Sequence, residues 1–147
     1  MMLQKIFIVA ATMTAPLFAE HEALIDQAKQ AQQRAYCPYS NYTVGAALLT
    51  TDGEVIQGCN VENASYGLTI CAERAAVFSA VSQGKRNFDA IIVATRDGGT
   101  PCGACRQVLN EFNPNLSVIT VNAQGKIIHN TTLDKLLPAA FGPRNLE

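Results

Sequence analysis

At 147 residues the chain has the size of one domain with one proper hydrophobic core, and a second domain has nowhere to fit. Its 11 Lys and Arg against 12 Asp and Glu give a formal net charge of -1, without the basic excess that neutralising nucleic-acid phosphates requires, so a small-molecule partner is expected and no nucleic acid. Apolar residues at 48% and charged residues at 16%, with no repeat, charge block or low-complexity run, exclude a disordered body.

The N-terminal stretch Met1–Ala19 stands apart from the rest. Lys5 precedes an apolar run from Ile6 to Ala11, and the stretch ends at Ala19, which resembles a short secretory signal or is an untidy extension. It is too short and too interrupted for a membrane span. Residues 20–147 are expected to form the single domain, in the cytoplasm, with export the alternative if residues 1–19 act as a signal. Next, Leu24, Ala28, Ala31 and Ala35 recur with helical spacing between Glu22 and Tyr36, and Cys37-Pro38 closes the segment because proline restricts the residue before it.

Two short apolar runs, Tyr42–Thr51 and Glu54–Asn60, flank Asp52-Gly53, a dipeptide suited to the positive φ of a tight hairpin turn. Cys71–Ser82 is Ala-rich and stops at Gly84, a natural helix C-terminus. Phe88–Thr95 is a β-branched apolar run, as expected of a strand covered on both faces. Asp97 to Pro101 breaks it, and a third helix, Gln107–Phe112, runs out of the Cys102/Cys105 pair until Asn113-Pro114-Asn115 ends it. Leu116–Val121 and Lys126–His129 are two more strands around Gln124-Gly125, and Leu133–Leu137 is a short helix before Pro138. The order αββαβαββα predicts a three-layer α/β/α fold with a central mixed five-stranded sheet. Ligands on such a sheet favour strand ends where helices begin.

Five cysteines, an odd number in a chain of this size, fit a disulfide framework poorly. Cys37 and Cys59 stand in apolar surroundings and read as small buried hydrophobes. Cys71-Ala72-Glu73 and Pro101-Cys102-Gly103-Ala104-Cys105 each fall where a strand passes into a helix, so three thiols converge from two helix N-termini. Three protein ligands around a tetrahedral Zn²⁺ leave one position open, as in catalytic sites, whereas structural sites close all four. Neither His21 nor His129 supplies a fourth. Helix N-termini favour thiolates, and Arg74 and Arg106 bring positive charge near the sulfurs. Glu73, two residues after Cys71, can reach the open position without being a ligand.

The pattern CAE…PCGAC resembles the Cys₃ form of the zinc nucleobase deaminase signature. From Glu22 to Gly142 the chain looks like the small Cys₃-type cytidine deaminase family, through PYSNYTVGAAL, GCNVENASYG, CAERAA, PCGACRQ and LLPAAF. The resemblance implies one Zn²⁺ per chain on Cys71, Cys102 and Cys105, and hydrolytic release of ammonia from cytidine and deoxycytidine. Glu73 would carry the protons, and Arg74 would balance thiolate charge. Asn60 and Glu62 would hold the ribose and Ala72 would contact the base through its backbone. Phe141 would cover the pyrimidine of a neighbouring subunit, implying a homotetramer with shared active sites. At Tyr42, a pocket position, the family more commonly has Phe.

Plainer readings stand beside these. Glu73 and Arg74 could be solvated first-turn residues, Asn60 a turn former, Phe141 a core residue and Arg106 a surface residue. The CGAC segment could be a redox pair, though that has no use for Cys71 and Glu73; a structural-zinc module would need a fourth ligand.

Overall fold

Two antiparallel pairings place three chain segments at one end of a sheet, and that end becomes the site. In a computed structural model, which describes residues 15–147, the elements run α1 (Ala15–Gln32), β1 (Gly45–Thr50), β2 (Val55–Cys59), α2 (Ala72–Ser82), β3 (Phe88–Ala94), α3 (Gly103–Phe112), β4 (Ser117–Val121), β5 (Ile127–Thr132) and α4 (Leu133–Leu136). The strands form one sheet in the order β2-β1-β3-β4-β5. Only β3 and β4 pair in parallel, across the α3 connection; the other neighbours are antiparallel. Gly45 stands opposite both Cys59 and Ala94, so the entry to β1, the exit of β2 and the exit of β3 lie side by side.

Alternation along the strands divides the core in two. Ala47, Ala90, Ile92, Ala94, Ile119 and Val121 face Leu24, Ile25 and Ala28 of α1. Ala46, Leu48, Ile56, Ile91, Val93 and Val118 face the other way, onto Ala76, Val77 and Ala80 of α2, Leu109 of α3 and Leu133 of α4. The three-layer α/β/α arrangement expected from the element order is therefore present. β3, flanked by β1 and β4 and covered on both faces, holds six buried residues of seven, as its continuous apolar run requires.

Boundaries differ from the sequence expectation in places, each with a local cause. β1 starts at Gly45 instead of Tyr42 because the Asn60 side chain takes the ladder's place. It accepts a bond from the Val44 N–H (2.8 Å) and donates one to the Tyr42 carbonyl (2.8 Å). β5 continues past His129 to Thr132 because Ser117 and Val118 pair with Thr132 and Thr131. α1 extends back to Ala15. Of the signal-like segment, residues 1–14 lie outside the described residues. The hairpin turn sits where Asp52-Gly53 predicts it, with φ 88° at Gly53. Lys85 closes over it onto Glu54 at 2.6 Å. Among the described residues no helix is long and apolar enough to cross a membrane.

Two glycines let the helices lie directly on the sheet. A Cβ on Gly45 would stand 2.0 Å from the Ala28 carbonyl oxygen of α1, and one on Gly58 would stand 2.4 Å from the Ala72 oxygen and 2.5 Å from the Ala76 nitrogen of α2. The neighbours are backbone atoms, which cannot swing aside as a side chain would. Gly58→Ala is therefore expected to lift the first turn of α2 and cost about 2 kcal/mol or more, read as a lower urea midpoint. Gly67→Ala, where nothing lies within 4 Å, is expected to stay within about 0.5 kcal/mol of the parent.

Candidate active site

Cys71 is the N-cap of α2 and Cys102 the N-cap of α3, both with extended backbone and neither with a side-chain cap. The first N–H groups of both helices are left free, as helix N-termini leave them, and their dipoles favour negative sulfur. Cys105 sits one turn into α3, fully buried. The three Sγ atoms lie within 4.8 Å of one another, and Cys71 Sγ and Cys102 Sγ are 3.9 Å apart. Thiolates bound tetrahedrally to zinc at about 2.3 Å stand about 3.8 Å from each other, so the triad fits the ion by spacing as well as by chemistry. Among the described residues the cluster has these three members. His21 is buried against Leu24, Leu49 and Ala90 and His129 is exposed on β5.

The charge around the sulfurs is asymmetric. Arg74, one turn along α2, donates from Nη2 to Cys71 Sγ at 3.4 Å. A hydrogen bond from Cys105 and the Arg74 guanidinium together pull the Cys71 thiol down to about 5. Cys105 moves upward, since it donates that hydrogen bond and is buried. Arg74 thus favours thiolate charge at the sulfur to which it donates. Arg106, in contrast, is neither a surface residue nor a partner of the sulfurs. Its Nε donates to the Pro101 carbonyl (2.7 Å), Nη1 to the Leu136 carbonyl (2.7 Å) and Nη2 to Thr100 Oγ1 (2.9 Å), which fastens the segment before Cys102 to α3 and to the end of α4.

Beside the triad lies a cavity of ≈ 350 Å³ lined by Tyr42, Asn60, Glu62, Cys71, Glu73 and Cys102 among others. Glu73 is only 5% exposed, which rules out the solvated first-turn reading. Burial, reinforced by the Cys71 charge, pushes its carboxyl up to about 7. On the opposite wall Glu62 accepts from the Tyr39 N–H (2.9 Å), the Ser40 N–H (3.1 Å) and the Ser40 hydroxyl (2.5 Å). These bonds, the hydroxyl first, hold its carboxyl below the usual range. Asn60 combines its expected site position with the turn-forming role: its two backbone bonds leave one amide N–H and one oxygen lone pair.

Two further residues of the expected site lie outside this cavity's lining. Ala72 is fully buried between Cys71 and Glu73 and does not line the cavity. Phe141 is not a core residue: it is 59% exposed and lies outside the cavity lining, while its carbonyl accepts from Gln107 Nε2 (2.8 Å) and Asn110 Nδ2 (3.2 Å). Cys37 is buried and donates weakly to the Tyr42 carbonyl (3.4 Å); Cys59 is only half-buried. Cys71 does not follow a strand directly. β2 ends and α2 begins at the same end of the sheet, and the intervening residues 60–70, closed by the Val61–Ile70 bridge, give Asn60, Glu62, Thr69 and Ile70 to the cavity lining. Sequence reasoning missed Ser40, Thr95 and Asp97. Only the polar break after the strand at Thr95 could have drawn attention to the last two.

Three thiols spaced for one metal, with an open position and a buried carboxylate alongside, are the parts of a zinc enzyme that activates water. The family model described as "Cytidine and deoxycytidylate deaminase zinc-binding region" matches residues 19–121. The chain is 51% identical over 128 residues to a cytidine deaminase of Sporosarcina psychrophila, covering 85% of this chain and 93% of that one. The crystal structure of cytidine deaminase from Burkholderia pseudomallei superposes with a TM-score of 0.79 at 54% identity, over 82% of this chain and 98% of that one. That from Mycobacterium tuberculosis does so at 0.71 and 42%, over 82% and 96%. The chain belongs to the zinc-binding cytidine and deoxycytidylate deaminase family, and is a zinc-dependent hydrolytic deaminase.

Because Arg74 supports a ligand it does not replace, Arg74→Ala is expected to weaken zinc binding about 10- to 100-fold, measured by competition with a chromophoric chelator.

Proposed function

We propose that this chain deaminates free cytidine and deoxycytidine to uridine and deoxyuridine, with Glu73 as the proton carrier. The observation that carries this reading is that Glu73 and the sulfurs of Cys71 and Cys102 face one cavity of nucleoside size. Zinc, held by Cys71, Cys102 and Cys105, supplies a Lewis acid that brings the pKa of water to about 7.

Glu73 then does the proton work. Its carboxylate takes a proton from the attacking water and delivers it to N3 of the pyrimidine as oxygen adds at C4. It carries the second proton to the amino nitrogen, which departs as ammonia when the C4–N bond breaks. Water and cytidine thus become uridine and ammonia with no further reactant. A carboxyl poised at about 7 both accepts and releases a proton near neutrality, where a solvated one would only hold its charge. Arg74 offsets the thiolate charge.

The sugar is held on the opposite wall, by the free amide N–H of Asn60 and by Glu62, with the Tyr42 ring beside them. Phe141, exposed and pinned by its carbonyl, is free to cover the pyrimidine of a neighbouring copy in a homotetramer. Five free cysteines suit a reducing compartment, which supports a cytoplasmic enzyme.

Among the described residues the charged side chains lining the cavity are Glu62 and Glu73, and no Lys or Arg joins them. A 5′-phosphate would meet carboxylates in place of donors, so the substrate is the nucleoside and not the nucleotide. Ammonia release is expected from cytidine and deoxycytidine, with kcat/KM at least about 100-fold lower for CMP and for cytosine, which lacks the sugar. Turnover of CMP at the nucleoside rate would overturn the substrate reading.

A further inference from the structure

The two walls of the cavity are built separately. The sugar wall is backbone around Tyr42: its N–H donates to Ser40 Oγ (3.0 Å), which donates to Glu62 (2.5 Å), and its carbonyl accepts from Asn60 (2.8 Å). The metal wall is the segment from Thr95 to Cys102. Thr95 Oγ1 accepts from the N–H groups of Gly98 (2.7 Å) and Gly99 (3.0 Å). The Gly98 carbonyl accepts from Thr120 Oγ1 (2.7 Å), and Arg106 secures Thr100 and Pro101. Each wall is internally bonded, and the antiparallel pairing of Gly45 with Ala94 brings the two together where they leave the sheet.

One side-chain contact also joins them. The Tyr42 hydroxyl donates to Asp97 Oδ1 at 2.5 Å, and the same carboxylate oxygen accepts from the Gly99 N–H (3.3 Å) and the Thr95 hydroxyl (3.3 Å). Beyond the sheet, the Tyr42–Asp97 bond ties the sugar wall to the segment that ends in Cys102, and the Thr95 hydroxyl stands beside the same phenol. Gly99 leaves room for it, since a Cβ there would stand 3.2 Å from the Tyr42 hydroxyl oxygen. The Arg96 guanidinium lies over the Tyr42 ring, 5.1 Å from its centroid, and holds the ring from the same segment.

We propose that Asp97 is a positioning residue for the deamination, acting through the Tyr42 hydroxyl to set the distance between the sugar wall and the metal-ligand segment. The inference rests on the nucleoside reading above, because only a substrate held by both walls feels their separation. The sugar wall keeps its own contacts when the link is cut, so ground-state binding tolerates the slack. The reaction does not, since C4 must sit in register with the metal site and Glu73 at the moment of attack.

The test is steady-state kinetics on zinc-loaded Tyr42→Phe, Asp97→Ala, their double variant and Asp97→Asn, with kcat expressed per bound zinc. Tyr42→Phe and Asp97→Ala are each expected to lower kcat about tenfold, with KM for cytidine within about twofold of the parent. The double variant is expected to be no worse than Asp97→Ala, and Asp97→Asn, which keeps an acceptor oxygen for Tyr42, to recover most of the rate. Losses that multiply in the double variant, an unchanged kcat in Tyr42→Phe, or a defect explained by lost zinc alone would overturn the positioning role. A parent enzyme inactive on cytidine would instead sink the substrate reading and this inference with it; parent activity with unaffected variants sinks only the inference.

Discussion

Three sulfur atoms within 4.8 Å of one another are the constraint on which the site depends. Thiolates that close repel, so they need a shared cation and a positive surround. The fold supplies the surround by aiming the N-termini of α2 and α3 at one point and placing Arg74 on Cys71. Those helices converge because both pack on the same face of the sheet. α2 comes close enough because Gly58 has no side chain to hold it off. The site is therefore a consequence of how the second layer seats on the strands.

The same seating fixes the carboxylate. Glu73 lies two residues past a ligand, in the first turn of a helix pressed against the sheet, so it is buried beside the metal position instead of reaching solvent. Burial raises its proton affinity, while Glu62 across the cavity, bonded by two N–H groups and a hydroxyl, stays anionic. Two carboxylates lining one cavity thus have their proton affinities moved in opposite directions because one is desolvated and the other is paired. The first is suited to moving protons and the second to accepting hydrogen bonds.

Much of this was legible in the sequence, for identifiable reasons. The continuous apolar runs at β1 and β3, the Asp52-Gly53 turn and the Ala-rich α2 announce themselves by pattern, and the CAE and PCGAC segments by spacing. What escaped depends on side chains that replace backbone pairing. The use of Asn60 to end β1 early, the three-way grip of Arg106 on Thr100, Pro101 and Leu136, and the Tyr42–Asp97 bond join residues far apart in sequence, with no periodicity to reveal them. Arg106 illustrates the point: beside a thiolate ligand its charge suggested electrostatics, yet its hydrogen bonds show that it shapes the ligand segment.

The central claim is that one buried carboxylate, distinct from the metal ligands, moves the protons of the reaction. It is tested most directly by Glu73→Gln, with zinc content and ammonia release from cytidine measured on the same preparation. A variant that keeps the parent's zinc content while kcat falls about a thousandfold or more is the result the account predicts. Turnover within about tenfold of the parent would contradict it, and loss of the zinc would show that Glu73 serves the metal site itself and not the proton path.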